Sequence, residues 1–282
     1  MNDTSSSEIK REFMKSRSGL IGIGILACLI IMSIVAVITI PIDTFKQWNN
    51  PGNWISYPKT SIPIWVNYFT AEKIPEHTII KNPEIITKDG IISVTSQQFM
   101  LDYDYSDFPD GLIYEFDAEY SGSVLLQISV IKPDQTEMLL LSTSLPYSDT
   151  KTQHHERIFT TDNNIKKNLE FQSANSDVNK NTKSSEMLIF SDANGEVLNG
   201  RYLFLVNFYG MSQQLETLDS KLIVGGKAFG LMGTDELRRD LIVGLLWGTP
   251  LALFIGIVVA IGSVTIGLLY GVYAGFKGKK TD

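Results

Sequence analysis

Residues 241–276 read LIVGLLWGTPLALFIGIVVAIGSVTIGLLYGVYAGF, 36 positions without one charge. Backbone N–H and C=O groups find no water in hydrocarbon, so about 20 apolar residues in a row imply a membrane-spanning helix. This run is longer than one span needs. Pro250 lacks a backbone donor and crowds the turn before it, which predicts a break at that point. Asp235 to Gly248 is therefore expected as a short helix at the outer interface, with the span running from Pro250 to about Tyr273.

A second uncharged run covers Ser18 to Ile42, with the apolar stretch Leu20 to Ile40 at its centre. A signal-peptide core has about 7–15 apolar residues before a small-residue cleavage site. This one is longer, β-branched and ends Ile40-Pro41-Ile42, so it reads as an uncleaved anchor. Lys10, Arg11, Lys15 and Arg17 precede it, and Lys277, Lys279 and Lys280 follow the other run. Basic residues stay on the cytoplasmic side of a span. Both termini are thus expected in the cytoplasm, with a large domain outside a multi-pass cell-membrane protein. The expected divisions are a tail 1–17, a first transmembrane helix 18–42, an extracytoplasmic domain 43–232, an interfacial segment 233–249, a second transmembrane helix 250–276 and a cytoplasmic end 277–282.

The segment Asp43 to Met232 holds 15 Lys/Arg against 24 Asp/Glu, a balance of −9 in a chain whose net charge is −7. The acidity therefore belongs to the outer domain. It offers no basic patch for nucleic acid. It suits solubility first; the other reading is repulsion of anionic surfaces, or a docking face for a partly basic protein. The single cysteine, Cys28, lies inside the first span, so no intrachain disulfide can form and the outer domain rests on its own core.

That domain reads as β. From Leu112 to Tyr120, Tyr114, Phe116, Ala118 and Tyr120 alternate with Glu115, Asp117 and Glu119, the period of a half-buried strand. Ser121-Gly122-Ser123 is a turn signal, Val124 to Ile131 a second strand, Lys132-Pro133-Asp134-Gln135 a turn, and Met138 to Ser142 a third strand. The three are expected as an antiparallel meander. Further strands are expected at Gly90–Leu101, Glu186–Ser191 and Arg201–Tyr209. Asn163 to Asn181 reads as a loop with one short helix, and Asn49 to Trp65 as an irregular linker, with Trp48 and Trp54 suited to an interfacial belt. Short strands separated by turns favour a β-sandwich-like, all-β domain between two transmembrane α-helices.

Few residues point to chemistry. Asp102, Asp104, Asp107 and Asp110 are oxygen-rich in the way a Ca²⁺ loop is, but they lack the glycine and glutamate positions of an EF-hand; a solvated loop is the other reading. His154 and His155 are neighbours whose side chains diverge, and His77 stands alone. No nucleophile elbow, phosphate-binding loop or His-Glu-x-x-His occurs. No catalytic, cofactor-binding or metal-ligating residue is assigned, no cofactor is expected, and the chain is not expected to be an enzyme. Gly267, Gly271 and Gly275 repeat every fourth position along one helix face, a spacing that lets a second helix approach closely.

Gly233-Thr234-Asp235-Glu236-Leu237-Arg238-Arg239-Asp240 stands directly before the long apolar run. With Gly248, Gly256, Gly267, Gly271, Ala274, Gly275 and Phe276, it resembles the start of the second membrane helix of dipeptide/oligopeptide ABC-transporter permeases. In that family the motif is roughly Gly-Thr-Asp-x-x-Gly-Arg-Asp, so Arg238 stands where the family has glycine. The resemblance covers about the last fifty residues. It implies an inner-membrane permease subunit, or its amino-terminal part, for peptides or similar solutes. The implied partners are a second permease subunit, ATP-binding subunits that hydrolyse ATP, an extracellular solute-binding protein and the lipid bilayer. The family's further spans and its cytoplasmic Glu-Ala-Ala loop are not in this stretch, so the chain is expected to be a fragment or to be completed by another polypeptide. The outer segment is far longer than the family usually carries there. A two-span membrane sensor and a membrane-anchored extracellular binding module are the alternatives.

Overall fold

The computed structural model describes residues 15–88, 90–172, 184–211 and 215–277. The chain forms two compact units: Met1–Asn50 with Asp240–Asp282, and Pro51–Arg239.

The first unit is helical. Helix α1 spans Arg17–Thr39, its N-terminus capped by the Ser16 hydroxyl, which accepts from the Gly19 N–H at 3.2 Å. A short helix α2, Ile42–Lys46, follows Pro41. Helix α5, Leu241–Lys277, has 37 residues, about 55 Å at 1.5 Å per residue. Both α1 and α5 are long and apolar enough to cross a membrane by length and composition. Their sides are almost bare, Ala36 and Thr249 being the buried residues. Two aromatic contacts tie the start of α5 to the chain beyond α1. Phe45 stacks on Trp247 with centroids 5.4 Å apart, and a β-carbon at Gly244 would lie 2.9 Å from the Trp48 ring.

The expected break at Pro250 is corrected: residues 235–240 are not helical, and one helix runs from Leu241 through Pro250. Proline removes a single backbone bond. The Thr249 hydroxyl donates to the Leu245 carbonyl at 2.9 Å in the same turn, and apolar helices tolerate the loss of one bond at a proline.

The second unit holds two antiparallel sheets. Strands β1 (Thr78–Lys81), β9 (Leu215–Gly225), β4 (Gly111–Gly122) and β7 (Ser148–Phe159) form one sheet in the order β1-β9-β4-β7. Strands β2 (Glu84–Lys88), β3 (Ile92–Tyr103), β8 (Gly200–Met211), β5 (Val124–Ile131) and β6 (Glu137–Ser144) form the other, in the order β2-β3-β8-β5-β6. Their inner faces share one core, with Phe99 against Tyr114 at 5.9 Å and Phe116 against Phe208 at 5.3 Å joining the sheets. The alternation of β4 reads as expected, since Tyr114, Phe116, Ala118 and Tyr120 are all buried.

The meander is not what forms. β5 and β6 are a hairpin, but β4 and β5 lie in different sheets. Both edges of β4 are taken, by β7 and β9, and both edges of β5 by β6 and β8. Gly122, at φ +77°, carries the chain across. A second correction is Glu186–Ser191, which is helical: α4 spans Ser185–Phe190. Ser184 caps it, accepting from Met187 N–H at 3.3 Å, with Glu186 in the first turn, a helix-start signal that outweighs the apolar alternation. Helix α3, Asn163–Gln172, supplies the short helix expected within Asn163–Asn181, and residues 173–183 of that stretch lie outside the described residues. Gln172 bonds both Leu139 N–H and Leu139 C=O, standing in for a strand beside the edge strand β6.

Candidate functional site

The motif 233–239 closes against residues 57–61 within the sheet-bearing unit. Gly233 sits at φ +75°, and a β-carbon there would run into the Ser61 carbonyl oxygen. Thr234 is buried. Its hydroxyl donates to Pro58 C=O at 2.8 Å and accepts from Ser61 N–H at 3.0 Å, with the Ser61 hydroxyl 2.9 Å away. One threonine therefore satisfies several groups of a strand-free linker that would otherwise be buried unpaired.

Asp235 organises the turn that follows. Its carboxylate accepts from Leu237 N–H and Arg239 N–H, both at 2.9 Å, and from Arg239 Nε at 2.7 Å. Burial alone would raise this carboxyl. The hydrogen bonds from the Arg239 side chain and backbone, with its positive charge, hold it below the ordinary carboxylate range instead. Arg238 takes φ +66°, the left-handed region that glycine occupies without cost. This is the position at which Arg238 departs from the glycine of the resembling family. The strain is offset by a bond from Arg238 Nη1 to the Tyr57 carbonyl at 2.7 Å. In the helical unit, Asp240 caps α5, accepting from Ile242 N–H at 3.1 Å. Burial pushes the Asp240 carboxyl up, opposed only in part by that bond.

Next to Tyr57 and Arg238 lies His77. Its ring stacks on Tyr57 at 6.1 Å and meets Phe229 edge-on at 5.4 Å. Both ring nitrogens are buried without a hydrogen-bond partner among the described residues, which costs on the order of 1–3 kcal/mol for an unmet polar group. Burial, and then the charge of Arg238, push its pKa down to about 4.

The outer face of the β4 sheet carries a row of opposite charges. Glu115 is paired by register with Arg157 on β7 and Lys221 on β9. It accepts from Arg157 Nε at 2.8 Å and lies 2.9 Å from Lys221 Nζ. Its side chain is only 9% exposed. Burial would raise Glu115, but the bonds from Arg157 and Lys221 hold it below the usual range.

The other residues singled out in the sequence separate. Asp102 pairs with Arg201, Asp104 with Lys73 and Asp107 with Lys227, so three of the four carboxylates face separate cations. Among the described residues no group of three His, Cys, Asp or Glu is placed to hold a metal ion. His154 pairs with Glu156, and His155 with Asp117. Trp54 is corrected: it is 4% exposed inside the sheet-bearing unit, not a surface anchor. Among the described residues nothing meets a β-carbon at Gly267, Gly271 or Gly275. Sequence reasoning missed Tyr57, Pro58 and Ser61, whose bonds to the motif span more than 170 positions. It also missed the Glu115 row, for which β4's acidic face opposite basic Arg157 and Lys221 was the available signal.

No family model matches this chain. Over 50 residues it is 42% identical to the dipeptide transport system permease protein DppC of Bacillus subtilis, covering 18% of this chain and 16% of that protein. It is 48% identical over 53 residues to the di/tripeptide transport system permease protein DppC of Pseudomonas aeruginosa, covering 19% of this chain and 18% of that one. An oligopeptide transport system permease protein, OppC of Haemophilus influenzae, is 43% identical over 56 residues, 20% of this chain and 18% of its own. The chain thus spans less than a fifth of the length of the curated relatives it matches. Likenesses to solved structures are remote: infectious bursal disease virus Gx strain at TM-score 0.27 and 10% identity, over 54% of this chain and 32% of that one, and TmCBM61 with β-1,4-galactotriose at TM-score 0.23 and 9% identity, over 53% and 85%. At those scores they say nothing of what this chain does. The short matches support a resemblance to peptide-transport permeases, and with it a transport-related role in general terms.

Proposed function

We propose that the chain is part of a permease subunit of an ABC importer for peptides or similar solutes. In this reading α1 and α5 cross the cytoplasmic membrane, both termini are cytoplasmic, and the β-rich domain faces outward. The observation that carries the reading is the motif 233–240. Each position matching the permease pattern has a structural task here: Gly233 a close approach at positive φ, Thr234 a buried bonding hub, Asp235 a turn, Asp240 a helix cap. The local identity with DppC and OppC proteins supports it.

The chain's contribution would be helices and an outer domain, with ATP hydrolysed by partner subunits and solute delivered by a binding protein. The glycine face at 267, 271 and 275 is open among the described residues and suits the close approach of a helix from a second permease subunit, because in lipid helices associate through backbone proximity and van der Waals contact. The test is co-purification of the full gene product from its native membrane in mild detergent. Recovery of a second permease and an ATPase supports the proposal. Consistent purification alone, or with a signalling kinase, refutes it in favour of an anchored binding module or a sensor.

A further inference from the structure

His77 is held by its backbone, not its side chain. Its N–H donates to Ala228 C=O at 2.9 Å, and Tyr57 and Phe229 fix the ring plane. Among the described residues neither ring nitrogen has a hydrogen-bond partner, although both are buried. The ring lines a cavity of about 100 Å³, whose walls also include Tyr57, Arg238, Leu112, Phe159 and Thr161. That is room for several waters or for one acetate-sized group.

The cavity's chemistry is unequal. Arg238 is a permanent cation with five N–H donors, whereas the nitrogens of the His77 ring are covered, so the ring lines the pocket without offering them to it. The bond to Tyr57 C=O engages one nitrogen of Arg238. The acidic group on the lining, Asp110, is at an exposed position. The Glu115 carboxylate nearby already answers Arg157 and Lys221, and that of Glu186 bonds Thr160. Thr160 is spent in turn on Glu186 and on Leu112 N–H.

We propose that this pocket is a binding site for a small carboxylate, held by the Arg238 guanidinium beside the His77 ring and against the apolar wall of Leu112 and Phe159. A guanidinium matches a carboxylate in geometry as well as charge. The ligand is a free small acid or the carboxyl end of a longer molecule such as a peptide. The site belongs to the β-rich domain and stands independently of the transport proposal.

The full chain in detergent, labelled with ¹⁵N in its histidine rings, tests it. There are three histidines, and His77→Asn identifies the signal of His77. Acetate should shift that signal saturably and leave those of His154 and His155 in place, while uncharged acetamide should not. Arg238→Gly keeps a residue suited to φ +66°, so it should melt as the parent does yet bind acetate about tenfold or more weakly, the loss of a charge-assisted bond. Alanyl-alanine acting where its C-terminal amide does not points to a peptide terminus. Acetate acting while alanyl-alanine fails points to small free acids. No saturable shift with either acid, an equal response to acetamide, or undiminished binding by Arg238→Gly overturns the proposal.

Discussion

Arg238 donates to the carbonyl oxygen of Tyr57, 181 positions earlier, at 2.7 Å while its own backbone sits at φ +66°. The bond joins the two ends of the sheet-bearing unit. It also explains how an arginine occupies a turn position built for glycine: a side-chain bond compensates a backbone conformation that costs a non-glycine residue on the order of 1–2 kcal/mol.

Arg238→Gly should therefore change the thermal stability of the full chain by less than about 1 kcal/mol, since relieved strain offsets the lost bond. Arg238→Val keeps the strain, loses the bond and adds a β-branch, so it should cost about 2 kcal/mol or more. Asp235→Ala removes the acceptor of two backbone N–H groups and should cost about 1–2 kcal/mol. Melting curves in one detergent rank the three. Equal loss in the glycine and valine variants contradicts the assignment of strain.

His77 makes stability fall in acid. Its pKa is near 4 in the folded chain and about 6.5 unfolded. Between those values the unfolded chain binds a proton that the folded chain does not, so stability drops as pH falls from about 6.5 to 4, by at most about 3 kcal/mol. His77→Phe should remove this part of the slope. Denaturant unfolding at several pH values measures it, and an unchanged slope in the variant counts against the buried neutral ring.

Glu115 balances two cations. Glu115→Leu leaves Arg157 and Lys221 facing each other over a largely buried position and should cost about 3 kcal/mol. Adding Arg157→Leu and Lys221→Leu should recover most of that, because the penalty is the unpaired charge and not the missing contact. Stability of the single and triple variants decides, and no recovery in the triple variant rejects the charge account.

Two glycines of α5 should behave in opposite ways. Gly244→Leu drives a side chain into the Trp48 ring and should alter tryptophan fluorescence and lower the melting temperature of the isolated chain. Gly271→Leu meets open space in this chain, so it should leave both unchanged while reducing recovery of a second permease. Normal recovery with Gly271→Leu removes the proposed helix contact.

Topology is open to labelling. Lys167 is at an exposed position on α3, whereas Lys132 is buried with its ammonium on the Ser191 carbonyl. In a Cys28→Ser background, a membrane-impermeant thiol reagent on intact cells should label Lys167→Cys but not Lys279→Cys. The reverse pattern inverts the proposed orientation.

The two uncharged runs, the alternation of β4, the β5–β6 hairpin and the motif at 233–240 were legible in the sequence alone. Each is a local matter: uncharged length, the period of two along a strand, or a glycine, threonine and aspartate in a row. Tertiary structure decided the rest. That β4 and β5 part into different sheets depends on which edges β7, β8 and β9 have taken. That 185–190 is helical depends on a Ser184 cap reinforced by burial of Ile189 and Phe190. That Trp54 is interior, that Arg238 adopts a glycine's conformation, and that His77 packs against Tyr57 and Phe229 are matters of tertiary packing, the Arg238 bond to Tyr57 spanning 181 positions. Periodicity is written along the chain one residue at a time, whereas pairing and burial depend on what distant segments leave free to touch.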